Sequence, residues 1–186
     1  MKKSILLVLP LLCLMIFPSI SHSLGFEGIG GKLALVLPDD PMDNTIGLGV
    51  IASLGTIVPK INALKAEASA EYWGNSYDFI GAETKVSYIT FNGTAKYYFS
   101  SSGMSPFVGG GLALILARAS VSWKTQPIYG NISGDSSSSD TDIGFHLVGG
   151  VDIPLGPGMK FVVEGKLAMD EPDAFHIAGG IVVKLK

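Results

Sequence analysis

The sequence predicts an all-β fold, an antiparallel up-and-down barrel of eight strands that crosses a membrane. The clearest observation is the stretch Leu64–Tyr72, in which every second residue is apolar and every residue between is polar or charged. Side chains alternate between the two faces of a strand, so this pattern gives one apolar and one charged face. As a helix, the same residues would scatter charge around the circumference. A tilted strand of this length rises about 21 Å, close to the apolar band of a transmembrane barrel.

The second observation is the start of the chain, where two lysines follow the first methionine and Ile5–Phe17 forms an apolar run of 13 residues. Small residues precede a predicted cut before Leu24, and the run is too short to span a bilayer as a helix. We therefore predict a secretory signal peptide at residues 1–23 and a barrel domain at residues 24–186. The single cysteine, Cys13, lies in the signal peptide, which leaves the mature chain without a disulfide, a thiolate nucleophile or a Cys-based metal site.

The third observation is the composition. Glycine is abundant, at 24 residues, which disfavours long helices and suits bent strands that approach closely. Removing 23 of 186 residues leaves 163, enough for one domain, and the loss of two lysines changes the net charge from −3 to −5. This charge excludes a basic nucleic-acid surface. No later segment is long enough for a membrane-spanning helix, so a soluble periplasmic β domain and an outer membrane barrel both remain possible.

The first four predicted strands carry the alternation clearly. The first, Ile29–Leu37, sets leucines on one face and Lys32 on the other, and the second, Thr45–Leu54, sets aliphatic residues against glycines. The third is the stretch described above, and it ends in the aromatic pair Tyr72–Trp73, which we expect at the membrane interface. The fourth, Val86–Phe99, opposes large apolar residues to threonine, asparagine and lysine and also ends in aromatic residues.

The fifth predicted strand, Phe107–Trp123, is apolar on both faces at its centre. Its alternation resumes at Arg118, which we predict to face inward. The sixth, Ile143–Leu155, the seventh, Lys160–Met169, and the eighth, Phe175–Leu185, again set aliphatic and aromatic residues against histidine, aspartate, glutamate and lysine.

The links between these strands alternate in character. Those after strands one, three, five and seven are acidic or long, including the predicted loops Gly74–Glu83 and Lys124–Thr141, whereas those after strands two, four and six are short turns. Outer-membrane barrels have this asymmetry, with long outer loops and short periplasmic turns. Because a strand in lipid cannot leave its backbone unpaired, strand eight is predicted to close against strand one.

Several segments with aromatic ends or many glycines carry a family resemblance. They are Ala70–Gly74, Asn92–Phe99, Pro106–Gly111, Gly149–Leu155 and the C-terminal strand. With the signal peptide, they make the whole mature chain resemble the small eight-stranded outer membrane β-barrel proteins, the OmpA-like and OmpX-like class. The resemblance implies a monomer whose partners are outer membrane lipids, lipopolysaccharide and, during biogenesis, the barrel assembly machinery. Members usually end in an aromatic residue read by that machinery, whereas this chain ends in Leu185–Lys186.

Charged residues on the predicted inward faces are the candidates for a functional site. The functional interpretation is a pore lining or a proton-active pair, and the structural one is a network of ion pairs and water. Eight strands enclose only enough space for side chains or one small ligand, which favours the network. The predicted network consists of Lys65, Glu67, Glu71, Lys96, Arg118, Asp152, Glu164 and Lys166, and Lys32 and Lys184 share the inward faces.

We predict no catalytic, cofactor-binding or metal-binding residue. His146 and His176 lie on inward faces, but neither has an adjacent serine to make a nucleophile–base pair. Asp39, Asp40 and Asp43 cluster in one loop without the regular set of six to eight oxygen ligands that calcium prefers.

The leading functional hypothesis is an integral outer membrane barrel, without catalysis, that serves a structural or interaction role through its extracellular loops. Two alternatives stay open. One is a narrow porin-like channel for ions or small solutes, and the other is a soluble periplasmic lipocalin-like barrel that binds an apolar ligand. The lipocalin-like alternative requires charged residues outside and apolar residues inside, the reverse of the membrane arrangement.

Overall fold

The computed structural model describes residues 25–39, 42–79, 82–100, 103–125, 132–169 and 173–185, and the predicted signal peptide lies outside these ranges. Eight strands make up almost all of the described chain. They are β1 (Gly28–Pro38), β2 (Thr45–Thr56), β3 (Leu64–Phe79), β4 (Ala82–Tyr98), β5 (Ser105–Thr125), β6 (Ile132–Gly156), β7 (Met159–Met169) and β8 (Ala174–Lys184). In these ranges no helix is long and apolar enough to cross a membrane.

The strands form one closed barrel in which each strand pairs with its sequence neighbours and β8 pairs with β1. All eight pairings are antiparallel. The closing pair runs from Gly28 opposite Lys184 to Pro38 opposite Ala174. Closure satisfies the backbone hydrogen bonds of every strand within the membrane and confirms the predicted eight-stranded, up-and-down topology.

The two faces of the barrel differ sharply in chemistry. On β1, the side chain of Lys32 is 7% exposed and that of Leu33 next to it is 64% exposed. The same alternation places isoleucine, leucine, valine or phenylalanine side chains outward on seven of the strands, and Tyr72 outward on β3. This arrangement fits lipid outside and polar residues inside, and it is the reverse of what the lipocalin-like alternative requires.

Two predicted loops are largely strand. The segment predicted as a loop at residues 74–83 belongs to the hairpin of β3 and β4, and residues 80–81 are its only undescribed part. The segment at residues 124–141 contains the first ten residues of β6, Ile132–Thr141, and residues 126–131 lie outside the described chain. Polar composition misled the prediction, because a strand that projects beyond the membrane is solvated and needs no apolar alternation.

The extended hairpins make one side of the barrel taller than the other. Among the described residues, the pairing of β6 with β7 begins at Phe145 opposite Met169, and residues 132–144 of β6 pair only with β5. This stretch of β6 is roughly 40 Å long. The upper parts of β3, β4, β5 and β6 thus form a raised wall at the loop end of the barrel.

Inside the barrel, two apolar layers lie on either side of a polar middle. The layer nearer the loop end contains Trp73 and Tyr88, whose rings stack with centroids 4.3 Å apart. The layer nearer the turns contains Ile51 and Phe107. The expectation that Trp73 lies at the membrane interface is wrong, because it follows the outward Tyr72 and therefore points inward.

Arg118 is also placed differently from the prediction. It is exposed and shares the outward face with Leu114 and Leu116, while Ile115 and Ala117 pack in the interior. The prediction that Arg118 faces inward is therefore wrong. The apolar centre of β5 hid the alternation, because Ala113 and Ile115 belong to the interior apolar layer rather than to the lipid face.

Candidate functional site: the interior charge cluster

Six charged side chains meet in the polar middle of the barrel, and each is at most 7% exposed. Strands β1, β3, β4 and β7 supply them through their inward-facing positions. We call this set the interior charge cluster: Lys32, Glu67, Glu71, Lys96, Glu164 and Lys166.

Glu164 connects two lysines in one half of the interior charge cluster. One of its oxygens lies 2.6 Å from Nζ of Lys32, and the other lies 3.0 Å from Nζ of Lys96. Lys96 also lies 2.7 Å from Oε1 of Glu67, and its ammonium sits 4.4 Å from the centroid of the Phe107 ring. Lys96 is thus held between two carboxylates and the face of an aromatic ring.

Glu71 connects two lysines in the other half of the cluster. Its two oxygens lie 3.0 Å from Nζ of Lys32 and 2.7 Å from Nζ of Lys166. The side-chain amide of Asn92 donates a hydrogen bond of 2.9 Å to the same carboxylate, and Nδ1 of His176 lies 3.5 Å from it. The contacts therefore form an unbroken chain in which every lysine is next to a glutamate, and three positive charges balance three negative ones.

This balance is what makes the cluster tolerable inside a barrel. Desolvating a single charge costs several kcal/mol, and attraction to partners offsets that cost only when geometry is good and the remaining hydrogen-bonding capacity is used. Each of Lys32, Lys96, Glu71 and Glu164 meets two oppositely charged partners. We conclude that the charges of the cluster neutralise one another.

Glycines make room for the cluster. A Cβ added to Gly49 would lie 2.9 Å from the carbonyl oxygen of Ala70 and 3.0 Å from Cγ of Glu71. A Cβ added to Gly180 would lie 2.9 Å from Cβ of Lys32. Two glycines therefore let the strands on either side of Lys32 approach closely, which fits the high glycine content of the sequence.

A half-open cavity of about 610 Å³ occupies the turn end of the barrel, below the cluster. Its wall includes two further ion pairs. Asp152 contacts Lys160 and accepts a 3.0 Å hydrogen bond from the Tyr98 hydroxyl. Lys65 pairs with Glu27 at 3.1 Å, and both side chains are about 40% exposed. The cavity ends at Lys96 and Glu67, the first members of the cluster.

The structure distributes the eight predicted site residues over three places. Five of them, Glu67, Glu71, Lys96, Glu164 and Lys166, lie in the interior charge cluster. Lys65 and Asp152 line the cavity, and Arg118 lies on the outer face.

Sequence reasoning missed three contributors to these contacts. Asn92 was placed on an inward face, yet its bond to Glu71 requires knowledge of which strands meet. Glu27 precedes the first predicted strand and carries no alternation signal. Tyr98 shares the inward face with Lys96, yet its hydrogen bond to Asp152 likewise depends on which strands meet.

The two inward histidines occupy buried polar positions. Nε2 of His146 shares a 2.9 Å hydrogen bond with the hydroxyl of Thr94, and the ring of His176 packs edge-on against Trp73. Across the described ranges, no group of three His, Cys, Asp or Glu side chains is placed to hold a metal ion.

The sequence matches the family described as outer membrane protein beta-barrel domain over residues 4–171. The chain belongs to this family. It is a protein of the outer membrane, and the outward band of apolar side chains is its lipid-facing surface. No curated protein sequence matches it.

Solved structures of outer membrane proteins share the fold. Neisserial surface protein A is 19% identical, with a TM-score of 0.61, and the match covers 87% of this chain and 99% of that one. Ail, the attachment invasion locus protein of Yersinia pestis, is 12% identical with a TM-score of 0.54 over 88% and 99% of the two chains. A major outer membrane protein from Thermus thermophilus is 9% identical with a TM-score of 0.62 over 85% and 98%.

Proposed function

We propose that this protein is a closed, non-catalytic outer membrane barrel that serves a structural or interaction role through the hairpins it presents outside the cell. The observation that carries the proposal is the interior charge cluster between two apolar layers. Charges that line a conducting pore face water and permeating ions, whereas each of these six charges is buried against a protein partner of opposite sign.

The interior also argues against catalysis. His146 and Thr94 form a hydroxyl–imidazole pair, the type of contact on which nucleophilic catalysis depends. His146 is only 2% exposed and Thr94 only 8%, so no substrate reaches the pair while the barrel keeps this packing. The pair therefore fits a hydrogen-bonded structural role.

The raised wall supports the interaction role. Its β5–β6 hairpin extends well past the end of β7, and the described side chains of β6 from Ser136 to Ile143 are exposed. A rigid barrel that projects polar, solvent-exposed strands is a suitable scaffold for recognition of other molecules outside the cell.

The narrow channel stays as a second candidate because of the 610 Å³ cavity, which opens one end of the barrel toward the periplasmic turns. The two candidates differ in a measurable way. A passage through the barrel requires the cavity to continue past Lys96 and Glu67, where the ion pairs with Glu164 and Lys32 now lie.

Conductance of the purified protein in a planar lipid bilayer tests the proposal. We expect a flat current for the wild type, with a known porin inserted in parallel to show that the bilayer reports open channels. Steady single-channel steps from the wild type would establish the channel and refute the closed barrel. Lys65→Ala serves as a control, because it widens only the wall of the cavity. We expect this variant to pass no current either.

The proposed partners follow from location. Outer membrane lipids and lipopolysaccharide surround the apolar band, and the barrel assembly machinery acts on the chain during insertion, with β8 as the segment it reads. We propose a monomer with no nucleic-acid partner and no cofactor, since the barrel closes on itself and the mature chain is acidic.

A further inference from the structure

Arg118 and Lys85 are exposed cationic residues on the outward face of the raised wall. On β5, the outward residues Leu112, Leu114 and Leu116 belong to the apolar band, and Arg118 is the next outward residue. One such step raises a side chain by about 5 Å when the strand is tilted. Arg118 therefore stands at the upper border of the lipid-facing band, where headgroups begin.

The strand register surrounds Arg118 with hydrogen-bonding groups. Ser87 on β4 and Ser139 on β6 lie directly opposite Arg118 on its two sides. In the next row outward, Ser120 lies between Lys85 and Ser137. Residues directly opposite each other in antiparallel strands share a face, so all six side chains project from the same outer surface.

The two cations are close enough to act together. Lys85 is two residues from Ser87, the direct partner of Arg118, so Lys85 and Arg118 are diagonal neighbours across the β4–β5 pair. Diagonal neighbours are about 7–8 Å apart, within reach of two long side chains. A guanidinium binds two phosphate oxygens at once, an ammonium adds a point charge, and hydroxyls donate to the remaining oxygens.

We propose that this block of two cations and four serines is a binding site for a phosphate group of lipid A, the membrane anchor of lipopolysaccharide in the outer leaflet. The hairpin ends of the raised wall lie opposite the chain termini and the short turns, which places the block on the extracellular side. The inference deepens the proposed function and rests on its assignment of lipopolysaccharide as a partner.

Native mass spectrometry of the full-length mature barrel in detergent micelles tests the site, with three lipids as separate probes. They are bisphosphorylated lipid A, lipid A with both phosphates removed, and phosphatidylglycerol. We expect bisphosphorylated lipid A to bind the wild type at least tenfold more tightly than the Arg118→Gln/Lys85→Gln double variant. Dephosphorylated lipid A is expected to bind both proteins equally and weakly.

Lys60→Gln is the matched control, because it removes one exposed cation from the turn at the opposite end of the barrel. It is expected to leave the affinity for lipid A unchanged, and Arg118→Lys is expected to restore only part of the affinity that Arg118→Gln loses. Folding of each variant is checked by the heat-dependent shift of the barrel in electrophoresis, since outward substitutions at the membrane border leave the interior intact.

Equal affinity of the wild type and the folded double variant for bisphosphorylated lipid A would overturn the site. Equal loss of phosphatidylglycerol and lipid A binding would overturn the assignment to lipid A, because the block would then recognise any anionic headgroup. Failure of the proposed function is detected separately, as single-channel steps of the wild type in the conductance experiment. That result does not depend on Arg118 or Lys85.

Discussion

Two sets of ion pairs in this barrel share their chemistry and differ in their surroundings. In the interior charge cluster, Lys96 is 2% exposed and contacts two carboxylates. At the turn end, Lys65 contacts one carboxylate within the described chain, that of Glu27, and both side chains are about 40% exposed. Water can replace the partner of Lys65 when the pair breaks, whereas protein groups enclose Lys96 almost completely.

Two ion pairs with similar distances can therefore contribute very differently to the stability of the barrel. Exposed pairs contribute little, because solvent screens the attraction and holding two long side chains together costs conformational entropy. Removing one member of a buried set is far more destabilising, since it leaves an uncompensated charge in a poorly solvated place. The following substitutions test this contrast and its relation to the lipid face.

The largest effect is expected from Lys96→Ala. It leaves Glu67 without its cation, takes one of two cations from Glu164, and removes the contact with the Phe107 ring. We expect a loss of about 3–5 kcal/mol in the free energy of unfolding, measured by urea titration in detergent micelles. A loss below about 1 kcal/mol would mean that water hydrates the interior and that the cluster is not sealed.

A charge without any partner on the outer face gives the next largest effect. Ala68 faces outward on β3, opposite Ala52 and Gly93. Ala68→Arg is expected to reduce the free energy of insertion by about 2–4 kcal/mol if this position lies at mid-membrane. Ala68→Leu at the same site is the control, and it is expected to be neutral or favourable. Equal tolerance of both substitutions would place this face in water.

Packing around the cluster is tested by two glycines. Gly49→Ala places a Cβ against the Ala70 backbone and the Glu71 side chain, and we expect a destabilisation of about 1–3 kcal/mol. Gly93→Ala is the matched control, because nothing lies within 4 Å of its added Cβ. If both variants unfold at the same urea concentration, close approach at Gly49 does not determine the geometry of the cluster.

The smallest effect is expected from Lys65→Ala, the counterpart of Lys96→Ala at the mouth of the cavity. Loss of its exposed pair with Glu27 is expected to cost at most about 1 kcal/mol, and the cost is expected to shrink as salt is added. A salt-independent loss comparable to that of Lys96→Ala would erase the contrast between the two regions.

The sequence predicted the faces of most strands because alternation with a period of two survives wherever one face meets lipid and the other meets polar groups. Glu67 and Glu71 are examples. Two outward alanines flank Glu67, and an outward alanine and Tyr72 flank Glu71. The signal fails in β5, where Ile115 fills the interior apolar layer and makes both faces apolar, and the inward assignment of Arg118 failed with it.

The pairing of charges could not be predicted in the same way. Lys32 on β1 meets Glu164 on β7, two strands that are not neighbours in the barrel. Such contacts across the interior depend on the tilt of the strands and on the stagger of the closed sheet, which arise only when the barrel closes. Composition likewise could not distinguish a solvated strand from a loop in the raised wall.

The most direct test of the sealed cluster is the coupling energy between Lys96 and Glu164, compared with that between Lys65 and Glu27. It is measured by double-mutant cycles with alanine, using urea unfolding in micelles at low and high salt. We predict a coupling of about 2–3 kcal/mol for Lys96–Glu164 that is insensitive to salt, and at most about 0.5 kcal/mol for Lys65–Glu27 that falls with salt. Equal, salt-sensitive couplings for the two pairs would contradict a closed interior and indicate a water-filled barrel.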